Sequence, residues 1–258
     1  MESRTLQLVL HYDGALFAGW QRQPNERTVQ GVLEDALERL CGTHVAVLGA
    51  GRTDAGVHAT GQAAGVRVND RWTASTLRRA MNAVLPSDVW IAASHSMHPE
   101  FHARFSAVSR AYSYLVGTDE SANSPFRRNR EVVWRRPLDR QLLDEAASLI
   151  LGDRCFRGFA VKGTAPETDN HHCTILAARW QDRDGGLAFS IRANRFLHHM
   201  VRFLVGTMLD VASGRRDPGD IELLLDSADN QTVSPPAPSH GLYLENVEYP
   251  HALYMAES

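Results

Sequence analysis

Residues 49–58 read Gly49-Ala50-Gly51-Arg52-Thr53-Asp54-Ala55-Gly56-Val57-His58. One carboxylate, Asp54, lies two residues from a guanidinium, Arg52, inside a segment with three glycines. Such a loop lets backbone approach a ligand closely while presenting one anion and one cation, which is how active-site loops are built. The glycine spacing is G-x-G-x-x-x-x-G. It is neither the dinucleotide fingerprint nor a P-loop, which ends in G-K-[ST]. A tight turn with an aspartate capping its own backbone would share this composition.

Other chemistry-bearing residues are scattered. His198-His199 and His171-His172-Cys173 offer metal-ligating side chains, but neither has structural-zinc spacing and no H-E-x-x-H occurs. No metal site is expected. A phosphate-contacting histidine suits the first pair better than a metal ligand, and His171, His172 and the 160–172 loop receive no role. Cys41, Cys155 and Cys173 form an odd set without C-x-x-C, as expected in a reducing cytoplasm. Arg127, Arg128 and Arg130, with Arg135 and Arg136 just beyond, form a basic run. The net charge is −3 and Lys162 is the single lysine, so charge alone does not advertise a nucleic-acid partner. Arginine can fork onto phosphate and stack on bases. The arginine bias also fits GC-rich coding.

The elements that must carry these residues follow a repeated order. Leu6, Leu8, Leu10 and Tyr12 alternate with polar or smaller residues as in a strand with one apolar face. Thr28 can cap a helix ending at Gly42. Val45–Leu48 reads as a strand entering the Asp54 loop, Gln62–Val68 as the next strand, residues 74–85 as a helix stopped by Pro86, and 89–93 as a strand. The second part repeats the order. A strand spans 111–116, and Asp139 caps a helix reaching Ile150. A hairpin, 174–180 with 187–191, turns at Asp184-Gly185-Gly186. A helix spans Phe196–Val211, a short one 221–225, and a strand 242–249. The expectation is α+β. Two ferredoxin-like (RRM-like) β-α-β-β-α-β halves, 1–105 and 106–258, have antiparallel sheets that join into one extended sheet around a central cleft. The N-terminus, Met1 to Arg4, runs straight into a strand and does not read as a signal peptide. At 43% hydrophobic the chain is ordinary globular, and no stretch is long and apolar enough for a membrane helix.

Four ordered blocks carry a family resemblance. They are Ala50-Gly51-Arg52-Thr53-Asp54-Ala55-Gly56-Val57-His58-Ala59, then Phe101–Ala107 with Arg110-Ala111-Tyr112-Ser113-Tyr114, then Asn194–Arg202, then Gly241–Leu244. Tyr12-Asp13-Gly14 and Gly19–Gln23 also fit. Together they resemble the tRNA pseudouridine synthase A family of bacteria, over essentially the whole chain.

The resemblance implies an isomerase of the tRNA anticodon arm, acting at positions 38, 39 and 40. It needs no cofactor, nucleotide or metal, and works as a cytoplasmic homodimer whose tRNA spans both subunits. It implies that Asp54 is the catalytic carboxylate, acting at C1′, at C6, or in support of a glycal-forming step. It implies that Tyr112 stacks on the target uracil and that Leu242 packs against the base. Arg52 is the natural partner to orient Asp54 and keep it ionised, since a guanidinium within about 4–6 Å lowers an aspartate pKa by roughly 1–3 units. On the 196–211 helix, His198 and Arg202 are four apart and share a face, which makes both candidates for substrate contact. Arg104, Arg110, Arg127, Arg128 and Arg130 are the candidates for the tRNA backbone. A non-catalytic RNA-binding protein of ferredoxin-like fold is the competing reading, and it would leave Asp54 dispensable. An aspartate-dependent phosphatase or hydrolase would need a second carboxylate or a metal site near the loop, and the sequence offers neither.

Overall fold

The computed structural model describes residues 3–164, 168–225, 227 and 229–256. Part of the polar 160–172 loop, residues 165–167, lies outside the described residues. The class is α+β, and the chain divides into two compact units, Met1–Arg110 with Tyr243–Ser258 and Ala111–Leu242.

In the first unit, β1 (Ser3–Tyr12) leads to α1 (Val29–Cys41), β2 (Leu48–Gly49), β3 (His58–Asn69), α2 (Ala74–Val84) and β4 (Val89–Met97). β1 lies between β3 and β4, antiparallel to both, and β2 pairs with β3. The order β4-β1-β3-β2 is the ferredoxin-like arrangement. Alternation explains it: Leu6, Leu8 and Leu10 are fully buried, as are Leu33 and Leu37 of α1 and Leu77 and Met81 of α2. Thr28 Oγ1 accepts the Gly31 N–H at 3.2 Å, and Gly42 ends α1 at a φ of 77°. Thr73 and Thr76 form a reciprocal capping box on α2. The strand expected over 45–48 is shorter and later, because only Leu48 and Gly49 reach the edge of β3.

The second unit contains β5 (Ser109–Gly117, entering from the first), β6 (Val132–Val133), α3 (Arg140–Leu149), β7 (Gly152–Cys155), β8 (His172–Arg183), β9 (Gly186–Ala193), α4 (Met200–Ala212) and α5 (Asp220–Leu225). Its strand order is β5-β9-β8-β7, with β6 parallel to β5. Asp184-Gly185 closes the β8–β9 hairpin, Gly185 at a φ of 72°. Asp139 caps α3 by accepting the Gln141 and Leu142 N–H groups. Tyr114, Phe156, Phe159 and Phe189 are fully buried beneath α3 and the almost wholly apolar α4.

Two further features differ from the sequence pattern. The helix expected over 196–211 starts only at Met200, because His199 sits at a φ of 61°, which no right-handed helix continues through. Asn194 exchanges hydrogen bonds with Thr174 of β8 instead. His198 therefore precedes α4, and the four-residue spacing to Arg202 does not place them on one helical face. The last strand, β10 (Leu242–Glu248), was expected to complete the second half, but from Tyr243 onward it belongs to the first unit. There Tyr243 and Leu244 pair in parallel with His58 and Ala59.

Gly61 makes this pairing possible. A Cβ there would lie 1.9 Å from the Glu245 carbonyl oxygen. Gly61→Ala is expected to lower unfolding free energy by about 1–3 kcal/mol in urea melts. Gly51→Ala, where a Cβ meets nothing within 4 Å, should leave stability unchanged.

Candidate active site

The Asp54 loop leaves β2 and returns into β3, and its backbone is gripped on several sides. Tyr12, at the end of β1, places its hydroxyl 2.8 Å from Thr53 Oγ1 in a buried contact. The Trp20 N–H donates to the Thr53 carbonyl at 3.0 Å, and the Gly56 N–H to the Phe17 carbonyl at 3.3 Å. Gln62 of β3 is fully buried and donates through Nε2 to the Gly51 carbonyl at 2.9 Å. Arg110 donates to the Ala50 carbonyl at 3.3 Å. Two glycines permit this approach. A Cβ on Gly14 would be 2.0 Å from the Val57 carbonyl oxygen, and Gly19, at a φ of 106°, lies against the Thr53 carbonyl. His58 is buried, accepts the Gly14 N–H at Nδ1 (3.0 Å) and stacks on Tyr243 at 4.8 Å.

This grip sets what the loop exposes. Thr53 points inward, and Asp54 follows it half-buried. Arg52, on the other side of Thr53, is exposed. The Arg52–Asp54 ion pair expected from the sequence is not formed. Arg52 makes no hydrogen bond or ion pair among the described residues. Burial pushes the Tyr12 phenol up to about 12, against the smaller opposing effect of hydrogen bonds with Thr53 and Gln62. Tyr12 therefore stays neutral beneath the loop.

In the second unit the two tyrosines of β5 separate by environment. Tyr112 is half-buried, with its ring edge-on to Phe196 at 5.1 Å. Tyr114 is fully buried, donates to the Pro238 carbonyl at 2.8 Å, and has its phenol pushed well above its ordinary value by burial. Gly241 fits against its ring, where a Cβ would come within 2.8 Å. Arg202 of α4 donates through Nε to the Ala237 carbonyl at 2.8 Å while its own carbonyl accepts the Ala237 N–H. The Pro235–Pro238 connector is thus tied at Ala237 and Pro238. His198 is exposed and Leu242 buried.

The basic candidates divide in the same way. Arg127 is committed internally. It binds buried Glu131 at 2.6 Å, Asp119 at 3.2 Å, the Ser121 hydroxyl and the Gly185 carbonyl. Arg128 is exposed; its backbone N–H donates to the Ser124 carbonyl at 2.9 Å, and its side chain makes no hydrogen bond or ion pair among the described residues. Arg130 is exposed. Arg110 donates to the carbonyls of Ala107, Ala50 and Arg104, which makes it a brace between segments of the first unit. The Arg104 side chain is exposed.

A family model described as tRNA pseudouridine synthase matches residues 8–106 and 146–250. The chain belongs to the tRNA pseudouridine synthase family. Curated relatives named tRNA pseudouridine synthase A agree along the whole length. One from Thermus thermophilus is 40% identical over 252 residues, covering 96% of this chain and 97% of the relative. One from Latilactobacillus sakei is 36% identical over 244 residues, covering 94% and 98%. One from Roseiflexus is 40% identical over 251 residues, covering 96% and 91%. The synthase is accordingly an isomerase acting on tRNA. Asp54, Arg52, Arg202 and Leu242 fall inside the matched segments, whereas Tyr112 and Arg127–Arg130 lie between them. The supporting roles of Thr53 and Gln62 were not read from sequence. Their signal was present only as position: Thr53 adjoins the carboxylate, and Gln62 is a polar residue within an apolar strand.

Because the folded Tyr12 pKa is raised from about 10, its neutral form stabilises the synthase fully below pH 10, and that contribution is lost as pH rises toward 12. Tyr12→Phe is expected to weaken stability near neutral pH by about 1 kcal/mol through the lost hydroxyl bond. It should also reduce the alkaline loss by roughly 2–3 kcal/mol at pH 12, read by urea melts across pH 8–12.

Proposed function

We propose that this enzyme converts uridine to pseudouridine at positions 38, 39 and 40 of the tRNA anticodon arm, with Asp54 as nucleophile and the target base flipped out. The observation that carries this reading is the Asp54 loop, whose backbone is held by buried hydrogen bonds on several sides so that its carboxylate is presented half-buried. In the reaction the N1–C1′ bond breaks, the base turns, C1′ bonds to C5, and the C5 proton leaves while N1 is protonated. The overall change is an isomerisation with no redox step. A positioned carboxylate serves as covalent nucleophile for such a step. Tyr112 stacks on the extruded uracil, its half-buried ring supported by Phe196, while Leu242 packs against the base and Arg202 and His198 contact the substrate. Arg52, exposed beside Asp54, meets the RNA rather than neutralising Asp54 in the free enzyme.

Acting on adjacent positions, partly paired in the stem, requires reading the shape of the arm and paying a few kcal/mol to extrude each base. Arg104, Arg128 and Arg130 supply phosphate contacts along it. The same family resemblance supports a homodimer with tRNA across both subunits, and three free thiols suit a cytoplasmic setting. No helix among the described residues is long and apolar enough to cross a membrane.

Asp54→Asn tests the central assignment. Pseudouridine formation should fall below detection, while tRNA affinity stays within about threefold of wild type, because phosphate contacts carry most binding. Substantial turnover by Asp54→Asn would falsify the nucleophile. The arginine run divides under the same assays. Arg128→Ala is expected to lower the slope of log affinity against log salt by about 1. Arg127→Ala should instead cost about 1–3 kcal/mol of stability by breaking its charged hydrogen bonds to Glu131 and Asp119. An unchanged salt slope for Arg128→Ala would take the loop off the RNA path.

A further inference from the structure

Phe105 is 77% exposed, although its turn is hydrogen-bonded on several sides. The Ser106 N–H donates to the His102 carbonyl, and the Ser106 hydroxyl accepts the His102 N–H. His102 Nδ1 lies within 3.2 and 3.3 Å of the Arg104 and Phe105 N–H groups. The His102 ring lies 4.4 Å from the Phe105 ring, and the Arg104 guanidinium 5.7 Å from it. Arg104 has no carboxylate partner among the described residues. A large aromatic is therefore held out in solvent, backed by an imidazole and flanked by a cation with no acid to answer it.

The same turn is wired to the catalytic loop. Arg110 donates to the Arg104 carbonyl at 2.6 Å and to the Ala50 carbonyl at 3.3 Å, four residues before Asp54. One planar guanidinium thus joins the Phe105 turn and the Asp54 loop inside the first unit, and its fork geometry limits their relative play.

Resting on the functional reading above, we infer that Phe105 is a stacking platform for an unpaired nucleobase of the substrate tRNA, with Arg104 on the adjoining phosphate, and that Arg110 holds this platform at a set position relative to Asp54. An isolated exposed apolar side chain needs no explanation of its own. The pairing of a rigidly presented ring with an unanswered cation is what selects RNA. Every base offers a face to stack, and phosphate satisfies the arginine. A protein partner would have to cover Arg104 with an acid.

The test is the affinity of unmodified substrate tRNA for wild type, Phe105→Ala, Phe105→Leu, Phe105→Trp and Arg104→Ala, each at several salt concentrations, with sedimentation at matched concentration. The Ala and Leu variants should bind about tenfold or more weakly with an unchanged salt slope, and Trp should bind as wild type. Arg104→Ala should lower the slope by about 1. Leu substitutes an apolar side chain of similar reach, so its loss isolates stacking from folding. Wild-type affinity in Phe105→Leu would overturn the inference. So would a binding loss that tracks a change in oligomeric state, which would assign Phe105 to a second copy of the chain. Binding is read directly, so absence of pseudouridine formation by wild type would overturn the functional reading while the stacking result is still scored.

Discussion

A buried hydrogen bond between two hydroxyls, Tyr12 and Thr53 at 2.8 Å, joins the first strand to the loop that carries Asp54. Tyr12 ends the apolar face of β1, so its ring is fixed by the same core that fixes Leu6, Leu8 and Leu10. Thr53 is drawn inward, which leaves Arg52 exposed and Asp54 half-buried on either side. Gln62 and Trp20 then take the loop carbonyls at Gly51 and Thr53. Backbone held at this many points leaves the Asp54 carboxylate little freedom of position, which is what the proposed nucleophile needs.

The second unit follows a parallel logic with different parts. Its buried phenol, Tyr114, holds the Pro238 carbonyl, while α4 holds the same connector through Arg202 and Ala237. Buried Glu131 gathers Arg127 and Arg183, so the basic-looking 119–131 loop is partly a structural clasp on the β8–β9 hairpin. Charge counted along the chain overstates what this loop has left for a polyanion. Arg128, exposed next to Arg127, is the residue the clasp does not use.

Local signals were legible in the sequence. The alternation of β1, the Thr28 and Asp139 caps, the Gly42 stop and the Asp184-Gly185 turn depend on neighbours within a few residues, and each appears in the structure. What escaped was non-local. The start of α4 is set by the left-handed backbone at His199 and by Asn194 bonding to Thr174, twenty residues away. The attachment of β10 to β3 rests on Gly61 yielding space to the Glu245 carbonyl. Arg127 looks identical to Arg128 until Gly185, 58 positions on, is brought beside it. Spacing alone could not separate Tyr112 from Tyr114, whereas burial does. Around Asp54, the ordered motifs were readable, but the supporting roles of Thr53 and Gln62 were not, because a buried polar contact leaves no periodic trace.

The most direct measurement is a position-resolved map of pseudouridine in total tRNA from cells lacking this gene, compared with the same cells carrying it again. The account predicts loss of pseudouridine at positions 38, 39 and 40 across several tRNAs, restored by the gene, with other positions unchanged. Retention of those modifications, or a loss confined to another arm of the tRNA, would contradict it.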